Sequence, residues 1–162
     1  MNNKKVVLLA ICFLIGCVFF LRPSDEKKIM KNLNSLAEYC SVTRKESVLE
    51  TLQKSALAAK LSTNPCKVQI ASLKLDGELS HKQITDHILL LKKRLPDTSF
   101  IFQDTTIEIP GEDKAQVTTT LQLNSESENE SFQDAYELDI IVEKTDGDWR
   151  FSSYTVVEFM KK

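Results

Sequence analysis

Glycine and histidine are scarce in this chain, and their scarcity removes several classes of function. Only four glycines occur among 162 residues, and none lies in a phosphate-binding loop or a dinucleotide-binding fingerprint. Neither His81 nor His87 has a second histidine four residues away on its helix, the spacing that would hold a metal ion. No G-x-S-x-G sequence occurs, and no cysteine has an obvious histidine partner, so nucleophilic catalysis is disfavoured. We expect no metal and no cofactor.

An excess of positive charge is also missing. Residues 1–23 contain three basic residues and no acidic ones, so residues 24–162 hold 18 basic and 23 acidic residues and carry a net charge of −5. Nucleic-acid binders need a basic surface that displaces counterions from phosphates. We therefore expect no nucleic-acid partner.

The most distinctive feature that is present is an uncharged apolar run at residues 6–21, VVLLAICFLIGCVFFL. It follows Lys4 and Lys5, which is the order of an export signal. Sixteen helical residues span about 24 Å, close to the length of a bilayer crossing. We predict that residues 1–23 are a signal anchor or a lipoprotein signal. Residues 24–162 then form one extracytoplasmic domain in a bacterial cell envelope, held at the inner membrane and facing the periplasm or the extracellular side.

Two fates of this run stay open. Residues 14–17, LIGC, resemble a lipobox, in which cleavage is followed by lipidation of Cys17. The apolar residues 18–21 continue the run where a polar tether would be expected, and this favours an uncleaved anchor. An ordinary cleavage site is disfavoured because no A-x-A pattern ends the run.

The domain contains two cysteines, Cys40 and Cys66. An exported domain can join such a pair in a disulfide. The bond would close a loop of about 26 residues and contribute roughly 3 kcal/mol by the chain-entropy estimate. Both residues lie at apolar positions of their elements, so two buried thiols are the alternative, and both readings stay open.

The spacing of apolar residues predicts three helices, and the predicted buried face of the first consists of Ile29, Leu33, Leu36, Ala37 and Cys40. The first follows Ser24, a good helix cap, and the third follows Ser80, which forms a capping box with Gln83. The second is expected to begin at Thr43, because Thr43 and Glu46 also have capping-box spacing. Its buried stripe is predicted to be Val48, Leu49, Leu52, Ala56 and Ala59.

Alternation of apolar and polar residues predicts one short strand at residues 66–70 and four strands after residue 99. Asp76-Gly77 is predicted to be a turn, and Asp146-Gly147 a tight hairpin between the last two strands. The final strand has apolar residues on both faces, which indicates a central strand or a bulge midway.

This order, αα-β-α-ββββ, predicts an α+β fold with three helices packed on a curved antiparallel sheet. Together with the closing hairpin at residues 137–159, ELDIIVEKTDGDWRFSSYTVVEF, it resembles the nuclear transport factor 2-like (SnoaL-like, cystatin-like) superfamily. The resemblance covers about residues 24–159 and implies a cone-shaped domain with a pocket between sheet and helices. Enzymes of that superfamily carry acid and base residues in the pocket, and none of their motifs matches this chain. An anchor before such a domain also resembles, more loosely, the inner-membrane scaffold proteins of type IV secretion systems.

Three functions are compatible with these features. We expect a membrane-tethered binding or scaffold module without catalysis, held in the membrane by residues 6–21 and contacting a protein partner or a second copy of the chain. The first alternative is a domain that binds a small apolar ligand in the pocket. The candidate lining residues are Phe100, Phe102, Tyr136, Trp149 and Tyr154. The second alternative is a general acid–base enzyme in which His87, Asp86 or a strand carboxylate is the base, although a boundary or core position is the simpler expectation for His87.

Overall fold

The computed structural model describes residues 24–43, 46–71, 74–126 and 131–160. Within these ranges the chain forms three helices and six strands. The helices are α1 (Asp25–Cys40), α2 (Val48–Lys60) and α3 (His81–Arg94). The strands are β1 (Ser62–Ile70), β2 (Leu75–Leu79), β3 (Thr98–Glu108), β4 (Lys114–Glu126), β5 (Ser131–Thr145) and β6 (Asp148–Met160).

The apolar run at residues 6–21, with Cys17, lies outside the described ranges. Among the helices inside them, none is both long and apolar enough to cross a membrane. The anchor therefore stays a prediction from the sequence.

The strands form one sheet in the order β2-β1-β6-β5-β4-β3, and the α+β class is confirmed. All neighbouring strands are antiparallel except β1 and β6, which are parallel. The expectation of a purely antiparallel sheet is therefore wrong at one pair. Strands joined by a tight turn must be antiparallel, but β1 and β6 are far apart in the chain and no hairpin fixes their direction.

The core lies between α1 and the helix-facing side of β4, β5 and β6. Ile29 and Leu33 of α1 are fully buried, as their predicted spacing on one helix face requires. The sheet side chains packed in the same cluster are Ala115, Val117, Leu138, Ile140, Val142, Trp149 and Phe151. This packing fixes the first turns of α1 against the end of the β5–β6 hairpin.

Two of the three predicted helix starts are confirmed. The hydroxyl of Ser24 accepts a hydrogen bond from the amide of Lys27 at 3.3 Å. At α3, Ser80 and Gln83 form the full capping box, in which the Gln83 side chain accepts from the Ser80 amide at 2.9 Å. Each cap satisfies amides that would otherwise be left without a partner.

The predicted start of α2 at Thr43 is wrong, because Ser47 caps the helix instead. Glu46, the expected capping partner of Thr43, points its carboxylate at two lysines of the helix layer. The Glu46 carboxylate lies 3.2 Å from Lys92 Nζ and 2.7 Å from Lys54 Nζ. Burial alone would raise the pKa of Glu46, but the hydrogen bonds from Lys54 and Lys92 outweigh it and hold that pKa below its usual value. Glu46 thus joins the loop before α2 to α3.

The predicted buried stripe of α2 is confirmed at Ala59 but wrong at its large apolar residues. Val48 is 89% exposed, Leu49 65% and Leu52 48%. The buried residues of the helix are Ser55, Ala58 and Ala59. Small side chains allow α2 to pack closely against its neighbours, so the larger apolar residues remain on the solvent side.

Asp76 and Gly77 lie inside β2 rather than in a turn, with Gly77 opposite Val68 of β1. The chain reverses before them, and Lys74 adopts the positive φ of 51° that the reversal requires. The Asp-Gly pair is a favourable turn sequence, but the extension of β1 by a partner strand places it in the sheet.

The bulge predicted for the last strand is confirmed. Val142 pairs with Phe151, but the preceding residue of β5, Ile141, pairs with Ser153, so Ser152 is an extra residue in β6. The extra residue shifts the alternation of inward-facing and outward-facing side chains along β6 by one position. Tyr154 therefore packs against the core on the same side as Phe151, whereas the pattern without a bulge would put it on the opposite face.

Candidate functional site

A cavity of about 450 Å³ opens beside the first turns of α1, the end of α2 and the β5–β6 hairpin. Its charged lining residues are four lysines, one arginine and one aspartate, which together give a local charge of +4 in a domain whose net charge is −5. These residues are Lys27, Lys28, Lys31, Lys60, Arg150 and Asp148. We call this site, which Trp149 also lines, the basic cavity.

The wall formed by the hairpin is held by its turn and by two backbone attachments. Asp146 and Gly147 have φ values of 54° and 86°, which confirms the predicted tight hairpin. Asn32 of α1 donates a side-chain hydrogen bond to the carbonyl of Trp149 at 2.8 Å. The amide of Phe151 donates to the carbonyl of Leu61 at 2.9 Å. Three separate elements are therefore joined at this cavity.

Asp25, at the start of α1, organises the charges behind the cavity. Its carboxylate lies 3.0 Å from Lys28 Nζ and 3.4 Å from Lys144 Nζ. The indole N–H of Trp149 makes no hydrogen bond of good geometry with the described residues. Its interaction with the Asp25 carboxylate is nevertheless the largest single cause that lowers the pKa of Asp25. With Lys28 and Lys144, it brings that pKa from 3.8 to about 2. Lys144 also lies 5.3 Å from the centroid of the Trp149 ring, in cation–π range.

Other cations of the basic cavity are not neutralised in this way. Lys27, Lys31 and Lys60 are exposed and form no ion pair with a carboxylate of the described ranges. The Nε atom of Arg150 is buried and has no hydrogen-bond partner among the described groups. A buried donor without a partner carries a free-energy cost. The exposed lysine ammonium groups of the cavity can attract an anion and donate hydrogen bonds to it.

A second cavity, of about 410 Å³, lies on the outer face of the sheet. Two lysines and two glutamates line it, so its charges balance. The charged residues are Lys67, Glu78, Lys114 and Glu143. The positive charge of the basic cavity is thus not a general property of grooves in this domain.

A partly buried polar cluster lies at the margin of the apolar core, around the first residue of β1. The hydroxyl oxygens of Tyr154 and Ser62 are 3.1 Å apart, and His81 Nε2 lies 2.9 Å from the Ser62 carbonyl oxygen. A carbonyl only accepts, so Nε2 of His81 carries the proton. Burial raises the pKa of Tyr154 well above its usual value, and it raises the pKa of Cys66 to about 11 and that of Cys40 to about 12. All three groups stay protonated near neutral pH, which makes them poor nucleophiles.

Cys40 and Cys66 are free thiols in the structure. Both lie close enough to Tyr154 to influence its phenol electrostatically. The disulfide stays a prediction. The described residues contain no group of three side chains of the types that hold metal ions.

The two cavities described above contain one of the five predicted lining residues. Trp149 lines the basic cavity. Tyr154 joins the polar cluster beside Ser62. Phe102 and Tyr136 pack against the margin of the core, and Phe100 pairs with the buried Leu123.

The two candidate bases of the enzyme alternative lie on the outer side of α3. His87 is exposed, so the expectation that it would be a boundary or core histidine is wrong. Asp86 is exposed as well and lies 3.8 Å from Lys82. His81 is the histidine that turns inward, because the capping box orients the first turn of α3 toward β1.

The sequence contained a partial signal for the basic cavity. Lys27, Lys28 and Lys31 fall within five residues of one another, but they read as the solvent face of an amphipathic helix. Lys60 and Arg150 are distant in the chain, and only the fold places them on the opposite walls.

No family model matches the sequence, and no curated protein matches it. Solved structures do resemble the domain. A nuclear transport factor 2-like protein with a cystatin-like fold from Novosphingobium aromaticivorans is 10% identical, with a TM-score of 0.67 over 88% of this chain and 86% of that one.

A protein of unknown function with a cystatin-like fold from Nostoc punctiforme is 10% identical, with a TM-score of 0.65 over 86% of this chain and 94% of that one. A protein from Kribbella flavida is 13% identical, with a TM-score of 0.67 over 85% and 94%. At such low identity, these likenesses concern the fold alone. The domain has the nuclear transport factor 2-like, cystatin-like fold.

Proposed function

We propose that this protein is a membrane-tethered, extracytoplasmic binding module that acts without catalysis. The observation that carries the proposal is the position of the basic cavity, which is built on the first two turns of α1. That helix begins at Asp25, only four residues after the apolar run ends at residue 21. A few extended residues reach about 10–14 Å. In this proposal the cavity therefore lies close to the bilayer surface.

The protonation states inside the domain support binding over catalysis. A general base needs a pKa near the working pH and a position inside a site. His87 and Asp86 are exposed on α3, while burial keeps the thiols of Cys40 and Cys66 protonated. These groups are better explained as surface and core residues than as a reaction centre.

The outer face of the sheet bears on the homodimer version of the proposal. It presents polar side chains at Gln116, Thr118, Gln122 and Asp139, and Thr118 donates to Asp139 at 2.9 Å. A large, stable homodimer interface is usually richer in apolar side chains. We therefore favour a different partner over a second copy packed on this face.

The tether is tested by fractionation of bacteria that express the full chain with a C-terminal tag. We expect the tagged protein in the membrane pellet after alkaline extraction, and we expect added protease to digest it in spheroplasts. Residues 24–162 behind a cleavable signal peptide are the control, and they should be released as soluble protein. A full-length protein found soluble in the cytoplasm would overturn the proposal.

Cys17→Ser separates the two fates of the apolar run. An uncleaved anchor holds the variant in the membrane as it holds the original chain. A lipoprotein incorporates radiolabelled fatty acid at Cys17 and loses that label in the variant, whereas an uncleaved anchor incorporates none in either form. Native mass spectrometry of the purified protein tests the ligand alternative, which a co-purifying apolar molecule would favour.

A further inference from the structure

We propose that the basic cavity binds a phosphate-bearing anion. This inference rests on the proposed function, because it names the chemical class that the tethered module recognises. The cavity of about 450 Å³ is large enough for a phosphate group and its substituent. Its lining residues carry a local charge of +4, and among the described residues only Lys28 of its five cations forms an ion pair with a carboxylate, that of Asp25.

The charge of the cavity is unusual for this chain. Residues 24–162 carry a net charge of −5, yet the first turns of α1, the end of α2 and the β5–β6 hairpin place five cations around one space. Like charges placed together repel each other, and this costs free energy unless an anion offsets it. The outer cavity, with two lysines and two glutamates, shows no such imbalance.

The donors available suit phosphate oxygens. Lys31 and Lys60 are exposed, and neither is held by a carboxylate of the described ranges. Arg150 lines the same cavity and adds a guanidinium charge to it. Arginine and lysine together are the usual partners of phosphate, since they provide directional hydrogen bonds and a mobile point charge. Asp148 is the single opposing charge among the lining residues.

Two sources could provide this chemistry, the headgroup of an anionic phospholipid and a soluble phosphate compound. The cavity borders the segment that follows the predicted anchor, so a lipid headgroup would be within reach of it in the tethered protein. Basic residues next to an anchor are attracted to anionic lipid surfaces. The experiment keeps the two sources apart.

The chain offers an internal reporter, because Trp149 lines the basic cavity and is the single tryptophan among the 162 residues. The full chain in neutral detergent micelles is titrated at low salt with inorganic phosphate, with dihexanoylphosphatidylglycerol and with the zwitterionic dihexanoylphosphatidylcholine. Tryptophan emission and the heat of binding are both recorded. We expect saturable binding of at least one of the two anionic probes, weakened by added sodium chloride because salt screens the charges.

Lys31→Gln combined with Lys60→Gln is the test variant, since both side chains are exposed and their loss should not disturb folding. We expect its affinity to fall by about tenfold or more, the size of effect that follows the loss of a hydrogen bond to a charged group. The matched control is Lys67→Gln combined with Lys114→Gln, which removes the same charge from the outer cavity. The control should bind like the original chain.

If the phosphatidylglycerol probe binds and phosphate displaces it, the ligand is a lipid headgroup. Binding of phosphate alone assigns a soluble compound. The inference is overturned by the absence of binding in both readouts, by equal binding of the phosphatidylcholine probe, or by an unchanged affinity in the Lys31 and Lys60 variant. A chain that is held in membranes yet binds neither anionic probe overturns this inference alone and leaves the tether standing.

Discussion

At the scale of single residues, Asp25 has the most consequential position in the domain. It is the first residue of α1, where the partial positive charge of a helix start stabilises a carboxylate. It also joins Lys28 of the same helix to Lys144 of β5. One short side chain therefore fixes the distance between the helix start and the hairpin on which the basic cavity is built.

Asp25→Asn should lower the free energy of unfolding near neutral pH by about 1–2 kcal/mol, because partial exposure of the pair reduces the usual contribution of a hydrogen bond to a charged group. The folded pKa of Asp25, about 2, is below its ordinary 3.8, so its stabilisation is present above 3.8 and is lost as the pH falls toward 2. The difference between the variant and the original chain should therefore narrow across that interval. Urea unfolding at a series of pH values measures it.

Asp86→Asn is the control for this experiment, because Asp86 is an exposed helix aspartate whose pairing with Lys82 is long, at 3.8 Å. Its stability should differ little from that of the original chain at every pH, as expected for exposed ion pairs. If Asp25→Asn behaves in the same way, the network behind the cavity contributes nothing to stability.

At the scale of elements, α1 and α2 show when a helical pattern identifies the buried face. On α1 the large apolar residues Ile29 and Leu33 occupy one stripe with polar residues opposite, and the stripe is buried as predicted. On α2 one face has large apolar residues and another has Ser55, Ala58 and Ala59. Close helix packing selects the small face, which a pattern based on hydrophobicity alone ranks lower.

Leu52→Gln should change the free energy of unfolding by no more than about 0.5 kcal/mol, as is usual for a surface position. Leu33→Ala should cost about 2–5 kcal/mol, because it leaves a cavity in a fully packed core. Both positions hold leucine but differ in burial, since Leu52 is 48% exposed and Leu33 is fully buried. Equal losses in urea unfolding would show that the solvent side of α2 is covered by something in solution.

The same contrast explains how much of the fold and the site could be predicted. Strand β4 and the Asp146-Gly147 hairpin could be predicted from the sequence. In both places the local pattern of residues and the turn chemistry favour the structure that the chain adopts. Strand β2 was missed because five residues with an internal Asp-Gly pair have no strand pattern. The basic cavity could be anticipated only on α1, since Lys60 and Arg150 reach it through pairings between distant segments.

At the scale of the whole molecule, one sheet connects both halves of the chain. Strand β6 pairs with β1 on one side and with β5 on the other. The described strands before α3 are therefore hydrogen-bonded to those after it in the middle of the sheet. The core residues of α1 pack on the same strands. Removal of α1 or of the strands after α3 would therefore expose the core residues of the other.

We therefore expect the domain to unfold in one cooperative transition. Emission of Trp149, which reports the hairpin, and far-ultraviolet circular dichroism, which reports all elements, should give the same midpoint in urea. Noncoincident midpoints would mean that the α1–hairpin region opens separately from the sheet. The Asp25→Asn variant shows whether such a separation begins at the helix start.

For the exported protein proposed above, the position of β6 also affects how the chain folds as it leaves the ribosome and crosses a membrane. It follows the other described strands in sequence, yet it occupies the middle of the sheet, between β1 and β5. Until residues 148–160 emerge, β1–β2 and β3–β5 are two separate pieces with unpaired edges. Export machinery that threads an extended polypeptide would therefore meet a chain that has not yet folded. The sheet would become complete only after β6 is available to pair with β1 and β5.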